Sequence, residues 1–169
     1  MYPGSHAIDH RDKPAFIMAS TGESVTYGEL EQRSNRLAHL LRSQGLKRLD
    51  HFAVFMENNN RYIESCSAGE RTGLYYTCIN SYLTADEVAY IVNNSESQVM
   101  ITSASRLAVA REALTQCPRI KLCLVVDGGT SLPTSGSLVY RDFVQAVAEF
   151  PVTPVADEAL GTSMLYSSG

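Results

Sequence analysis

The sequence predicts an α/β fold: an open, mostly parallel sheet with helices on both faces, preceded by an N-terminal hairpin. Three observations carry that expectation. Short apolar, β-prone runs begin at His51, Leu74, Gln98 and Lys121, so their starts lie 23, 24 and 23 residues apart. Each interval holds a strand, a short helix and two turns. The runs are continuous rather than alternating, as strands buried on both faces of a parallel sheet require. The stretches between them carry helix signals, and right-handed crossovers through those helices build an open sheet.

The elements follow in order. Residues 15–18 and 24–26 flank Ser20-Thr21-Gly22-Glu23 and read as a hairpin. Thr26-Tyr27-Gly28-Glu29 fits a capping box, in which hydroxyl and carboxylate each satisfy a free amide of the first helical turn. Val25 and Leu30 stand at the flanking staple positions. The helix that follows gathers Leu30, Leu37, Ala38 and Leu41 on one face, leaves Arg33, Arg36 and Arg42 largely elsewhere, and stops at Gly45. Thr84-Ala85-Asp86-Glu87 is a second box, stapled by Leu83 and Val88, and its helix ends near Asn93-Asn94. A third helix is expected over about 103–116, closed by Pro118. A loop through Asp127-Gly128-Gly129-Thr130 and Leu132-Pro133 leads to a short helix over about 140–148. Pro151 and Pro154 make an extended linker, and residues 161–166 read as one more buried strand. The expected organisation is an N-terminal α/β subdomain over 1–150, a linker over 151–161, and over 162–169 a strand entering a loop.

Composition narrows the class. Of 169 residues, 44% are hydrophobic and 19% charged, which supports a buried core and excludes disorder, collagen and coiled coil. Fourteen Lys and Arg against eighteen Asp and Glu give a net charge of −4, without the basic footprint of a nucleic-acid binder. No apolar run approaches the ~20 residues that span a bilayer. Asp9, Arg11, Asp12 and Lys13 fall where a signal peptide would need its apolar core, so a cytoplasmic location is expected, with peripheral membrane association left open. Cys66, Cys78, Cys117 and Cys123 include no C-x-x-C pair and have no His at zinc-finger spacing, so they are expected to be buried free thiols. His6 and His10, four apart near the start, read as a solvated segment. No metal ligands and no catalytic residue are nominated.

Chemistry is expected at one place. The dinucleotide fingerprint, the Walker loop and the nucleophile elbow are all missing. At the end, however, an apolar run delivers Ser167-Ser168-Gly169 beyond a strand. Small hydroxyl and glycine residues there begin either an anion-binding loop, whose amides and hydroxyls face phosphate oxygens, or a frayed polar tail. Asn80, Ser81 and Tyr82 also follow a strand, where open α/β sheets place ligands. They suit a supporting position near a substrate or a core turn. Thr26, Glu29, Thr84 and Glu87 are accounted for by capping, each cap contributing about 1 kcal/mol. Tyr75 and Tyr76 read as packing residues.

Three blocks together carry a resemblance. Val25-Thr26-Tyr27-Gly28-Glu29-Leu30 with Arg33-Ser34-Asn35-Arg36-Leu37-Ala38 is similar to the opening block of the adenylate-forming superfamily. Gly73-Leu74-Tyr75-Tyr76-Thr77-Cys78-Ile79-Asn80 with Leu83-Thr84-Ala85-Asp86-Glu87 resembles its second block. Tyr166-Ser167-Ser168-Gly169 resembles the first four residues of its phosphate loop. The wording around Leu74 and Asn80-Ser81 is most similar to bacterial fatty-acyl-CoA synthetases. The resemblance implies the N-terminal part of an AMP-forming acid–thiol ligase. Such an enzyme uses ATP and Mg²⁺ to activate a fatty or other hydrophobic acid as acyl-AMP, then transfers the acyl group to coenzyme A. It also implies that Ser167, Ser168 and Gly169 bind the ATP phosphates. The rest of that loop and the later motifs are absent from these residues, so the piece alone is expected to be inactive. Its implied partners are the acid, ATP, CoA, the remainder of its own polypeptide and a second copy in a homodimer. A fatty-acyl-AMP ligase, which stops at the adenylate, and a standalone non-enzymatic α/β binding module are the alternatives.

Overall fold

A computed structural model describes residues 4–134 and 136–167. The chain begins with a short helix, α1 (Gly4–Asp9), and the hairpin β1 (Pro14–Ile17) and β2 (Ser24–Thr26). It continues through α2 (Tyr27–Ser43), β3 (His51–Phe55), α3 (Tyr62–Thr72), β4 (Tyr75–Ile79), α4 (Ala85–Asn94) and β5 (Val99–Ser103). A 3₁₀ turn at Ala104–Arg106 enters α5 (Leu107–Leu114), followed by β6 (Leu122–Val126), β7 (Val139–Asp142), α6 (Phe143–Ala148) and β8 (Thr162–Ser163).

The four rhythmic runs become β3, β4, β5 and β6, the inner strands of a six-stranded sheet ordered β7-β6-β5-β3-β4-β8. Every neighbouring pair is parallel, with Phe52 opposite both Tyr76 and Val99. Side chains alternate across a strand, so each continuous apolar run divides between two cores. Phe52, Val54, Ile101, Leu124 and Phe143 pack on one face beneath α2, α3 and α6. Ala53, Phe55, Met100, Cys123 and Val125 pack on the other beneath α4 and α5. All five residues of β5 and of β6 are buried, which is why neither run could carry polar alternation.

The helix starts form as the sequence implies. At α2 the Glu29 amide donates to Thr26 Oγ1 (3.2 Å) and the Thr26 amide to Glu29 Oε2 (2.8 Å). Those bonds, the backbone amide of Thr26 foremost, hold the Glu29 carboxyl below its ordinary value. At α4 the Glu87 carboxylate accepts from both the amide and the hydroxyl of Thr84. Gly45 ends α2 with φ of +86°, a conformation open to glycine at little cost.

Three expectations need correction. The helix expected from residue 140 is preceded by β7, because Tyr140 and Arg141 pair with Cys123 and Leu124 of β6. The helix begins at Phe143, where the Asp142 carboxylate accepts from the Gln145 amide. The last strand is not buried: β8 has two residues, both exposed, because it lies at the sheet edge with no strand beyond it among the described residues. Of the cysteines expected to be buried, Cys117 and Cys123 are, whereas Cys66 and Cys78 are half-buried; all four are free thiols.

Residues 151–161 run back along α2 and α3. Asn35 Nδ2 donates to Val152 O (2.7 Å), His39 Nε2 lies 2.9 Å from Thr153 O, and Val155 is buried. Arg71, fully buried on α3, pairs with Glu31 of α2 and lies 3.7 Å from Glu158. The Ala159 amide donates to Arg71 O and the Gly161 amide to Glu70 O. The segment thus arrives beside β4 already oriented, and β8 pairs there through Tyr75 opposite Thr162 and Tyr76 opposite Ser163.

Candidate functional site

Open parallel sheets bind ligands beyond the carboxyl ends of their strands, foremost where adjacent strands send their connections to opposite sides. Here β3 connects to β4 on one side and β5 to β6 on the other, so that point lies between β3 and β5. Glu57, just beyond β3, accepts from the hydroxyls of Ser103 and Ser105, each at 2.6 Å. Partial burial works to raise the Glu57 carboxyl, but these hydrogen bonds outweigh it and hold the group below its usual range, as an anion. Arg106 follows in the 3₁₀ turn, its guanidinium carbon 5.6 Å from the Tyr82 ring centroid. The sequence reading did not single out this cluster. Its one available signal was the change from apolar to polar residues at the ends of two neighbouring strands.

Of the predicted loop residues, Ser167 lies farther along the same edge. The Thr162 amide donates to Leu74 O (3.1 Å) and the Met164 amide to Tyr76 O (2.9 Å), which carries the chain alongside β4. Tyr166 is partly buried and donates its hydroxyl to Asn94 Oδ1 (2.7 Å). Ser167 then stands exposed. Ser168 and Gly169, the other two predicted phosphate-binding residues, lie outside the described residues.

Ser167 and Tyr166 line an open cavity of about 650 Å³ with Asn80, Leu83, Asp86, Glu87, Tyr90 and Ile91. The ends of β4 and β8 and the start of α4 thus meet at one depression. Asn80 belongs to it and also shapes the turn, its Oδ1 accepting from the Tyr82 amide (3.0 Å). Tyr82 projects almost fully into solvent, 86% exposed. The charged lining residues are both acidic, Asp86 and Glu87, with no Lys or Arg among them. The Ser167 hydroxyl can donate to an anionic oxygen, but the cation needed to balance phosphate charge has to come from elsewhere. Among the described residues no group of three or more His, Cys, Asp or Glu is placed to hold a metal, and no helix is long and apolar enough to cross a membrane.

The model of the AMP-binding enzyme family matches residues 5–169, and the chain belongs to that family. It is 32% identical over 138 residues to a 3-oxocholest-4-en-26-oate–CoA ligase of Rhodococcus rhodochrous, covering 80% of this chain and 25% of that protein. It is 25% identical to a medium-chain-fatty-acid–CoA ligase of Ectopseudomonas oleovorans, covering 97% of this chain and 31% of that protein. The chain therefore spans about a quarter to a third of the length of these curated relatives. Among solved structures, a Mycobacterium tuberculosis fatty acyl CoA synthetase superposes over 98% of this chain and 32% of its own, at a TM-score of 0.82 and 21% identity. The anthranilate CoA ligase AuaEII, in complex with anthranoyl-AMP, gives 0.84 at 17% identity over 99% of this chain and 30% of its own. These two likenesses establish a common fold.

Proposed function

We propose that this chain supplies the N-terminal α/β unit of an ATP-dependent acyl-CoA synthetase. The enzyme would activate a fatty or other hydrophobic carboxylic acid as its adenylate and transfer the acyl group to the thiol of coenzyme A. The observation that carries the reading is the exposed Ser167, held beyond the carboxyl end of β8 beside a cavity at the ligand-binding edge of a parallel sheet. The family match running through residue 169 and the ligase names of the relatives support it.

In this reading the Ser167 hydroxyl donates to a phosphate oxygen of ATP, and Ser168 and Gly169 continue the same cradle with backbone amides. The start of that cradle is fixed by the Thr162 amide bonded to Leu74 O and the Met164 amide bonded to Tyr76 O. Mg²⁺, when bound, screens phosphate charge that the acidic cavity lining cannot. We place the protein in the cytoplasm, with the acid, ATP, CoA and the remainder of its own polypeptide as partners.

The test is acid-dependent release of AMP by the whole protein across a panel of acids, with Ser167→Ala alongside. The expected results are turnover with hydrophobic acids and a loss of roughly tenfold or more in the variant. Absence of acid-dependent AMP release overturns the ligase reading, and a variant rate equal to wild type overturns the role of Ser167. The 169-residue chain alone is expected to show no ATP–pyrophosphate exchange.

A further inference from the structure

Cys66 on α3 and Cys78 on β4 bring their Sγ atoms to 3.8 Å from each other. Tyr76 and Cys78 project from the same face of β4, the face that α3 covers, so a helix residue and a strand residue twelve positions apart become neighbours. Tyr62, one helical turn before Cys66, packs partly buried against the same core as the two thiols. Both residues are half-buried, in contrast to the buried Cys117 and Cys123.

The two thiols share one hydrogen bond in which either sulfur can be the donor, and whichever accepts becomes the more acidic of the pair. Cys123, which is buried without such donors, is pushed up by burial alone. A half-buried thiol within reach of a second thiol is the arrangement of a reactive cysteine and its resolving partner.

We propose that Cys66 and Cys78 are a redox modification site that closes reversibly to a disulfide between α3 and β4 by exchange with a low-molecular-weight disulfide such as oxidised glutathione. The thiolate of one cysteine of the pair attacks one sulfur of the small disulfide, forming a mixed disulfide and expelling one small thiolate, which takes up the proton that cysteine released. The other cysteine then gives up its proton and attacks the sulfur of the first, expelling the second small molecule as its thiol. Two protein thiols are oxidised and one small disulfide is reduced to two thiols. Closure from 3.8 Å to a bond of about 2.05 Å needs an approach of roughly 1.8 Å. The bond joins the helix and strand between which residues 159–163 dock, since Gly161 bonds to Glu70 of α3 and Thr162 to Leu74 at the start of β4. The redox state of the pair therefore sets the rigidity of the support for β8.

The test equilibrates the reduced protein with oxidised glutathione in graded ratios, quenches with an alkylating agent, and maps peptides by mass. The expected product is a direct Cys66–Cys78 link with loss of two hydrogens, reversed by dithiothreitol, and slower hydrogen exchange at the Thr162 and Met164 amides in the linked form. Cys66→Ser is expected to stop at a mixed disulfide on Cys78, whereas Cys117→Ser is expected to close the link as wild type does. Phenylarsine oxide, which bridges paired thiols, gives a reading without an oxidant: reduced wild type is expected to bind one equivalent and Cys66→Ser none at that site. Unlinked thiols at the most oxidising ratio, a mixed disulfide on wild type that never resolves, or equal arsenical binding by Cys66→Ser each overturn the proposal.

Discussion

Gly161→Ala tests how the chain is delivered to the candidate site. A Cβ at this position would stand 2.1 Å from Gly69 O, 2.4 Å from Leu74 O and 2.9 Å from Leu74 N, all far inside van der Waals contact. Each of these is a backbone atom of α3 or of the turn into β4, so no side chain can swing aside and residues 159–164 have to lift. Lifting forfeits the bonds from the amides of Ala159 to Arg71 O, Gly161 to Glu70 O, Thr162 to Leu74 O and Met164 to Tyr76 O. At roughly 1 kcal/mol net for each, docking weakens by about 4 kcal/mol if all are lost. The loss is confined to the edge, because β8 pairs with β4 alone. Hydrogen exchange by mass spectrometry should show protection lost over 159–164 and kept over β5 and β6, with the circular-dichroism signal nearly unchanged. In the whole protein the same variant should slow AMP release, because β8 no longer fixes Ser167. Retained protection at the Thr162 and Met164 amides would refute the close-approach reasoning, and so would loss of protection across the whole sheet.

Two further perturbations probe the support beneath that edge. Arg71→Ala removes a fully buried cation between Glu31 and Glu158 and should cost about 3–5 kcal/mol in urea unfolding, so a loss below ~1 kcal/mol would show that the pairing is not structural. Burial raises the Glu64 carboxyl above its ordinary value, against the pull of Arg61, Arg33 and Arg36. The folded chain then holds this proton more tightly than the unfolded chain, so the stability this group contributes is present below about 4.5 and declines as pH rises through its raised folded value. Glu64→Gln should remove that decline, which unfolding midpoints at a series of pH values between 4 and 8 would report as a variant gaining on wild type; parallel profiles would contradict it.

The scaffold was legible because its signals are local. The Thr26 and Thr84 boxes lie within four consecutive residues each, and the four inner strands announce themselves by runs buried on both faces. The edges were harder to read for a physical reason: an edge strand pairs on one side only and needs no continuous apolar run. Val139–Asp142 is a strand because β6 offers it a partner, and Thr162–Ser163 is one although both residues are exposed. Of the candidate site, Ser167 was readable only through a short motif. The Glu57, Ser103 and Ser105 cluster showed only as polar residues at two strand ends, since its members are 46 and 48 positions apart and meet only once β3 and β5 are paired. The same rule explains the thiol pair, because Cys66 and Cys78 have no motif spacing and become a pair only when α3 folds onto β4. What a sequence shows by itself is the set of contacts that stand close along the chain. The chemistry in this fold lies at strand ends and helix faces, where the contacts that matter are long-range, so it becomes visible only with the topology.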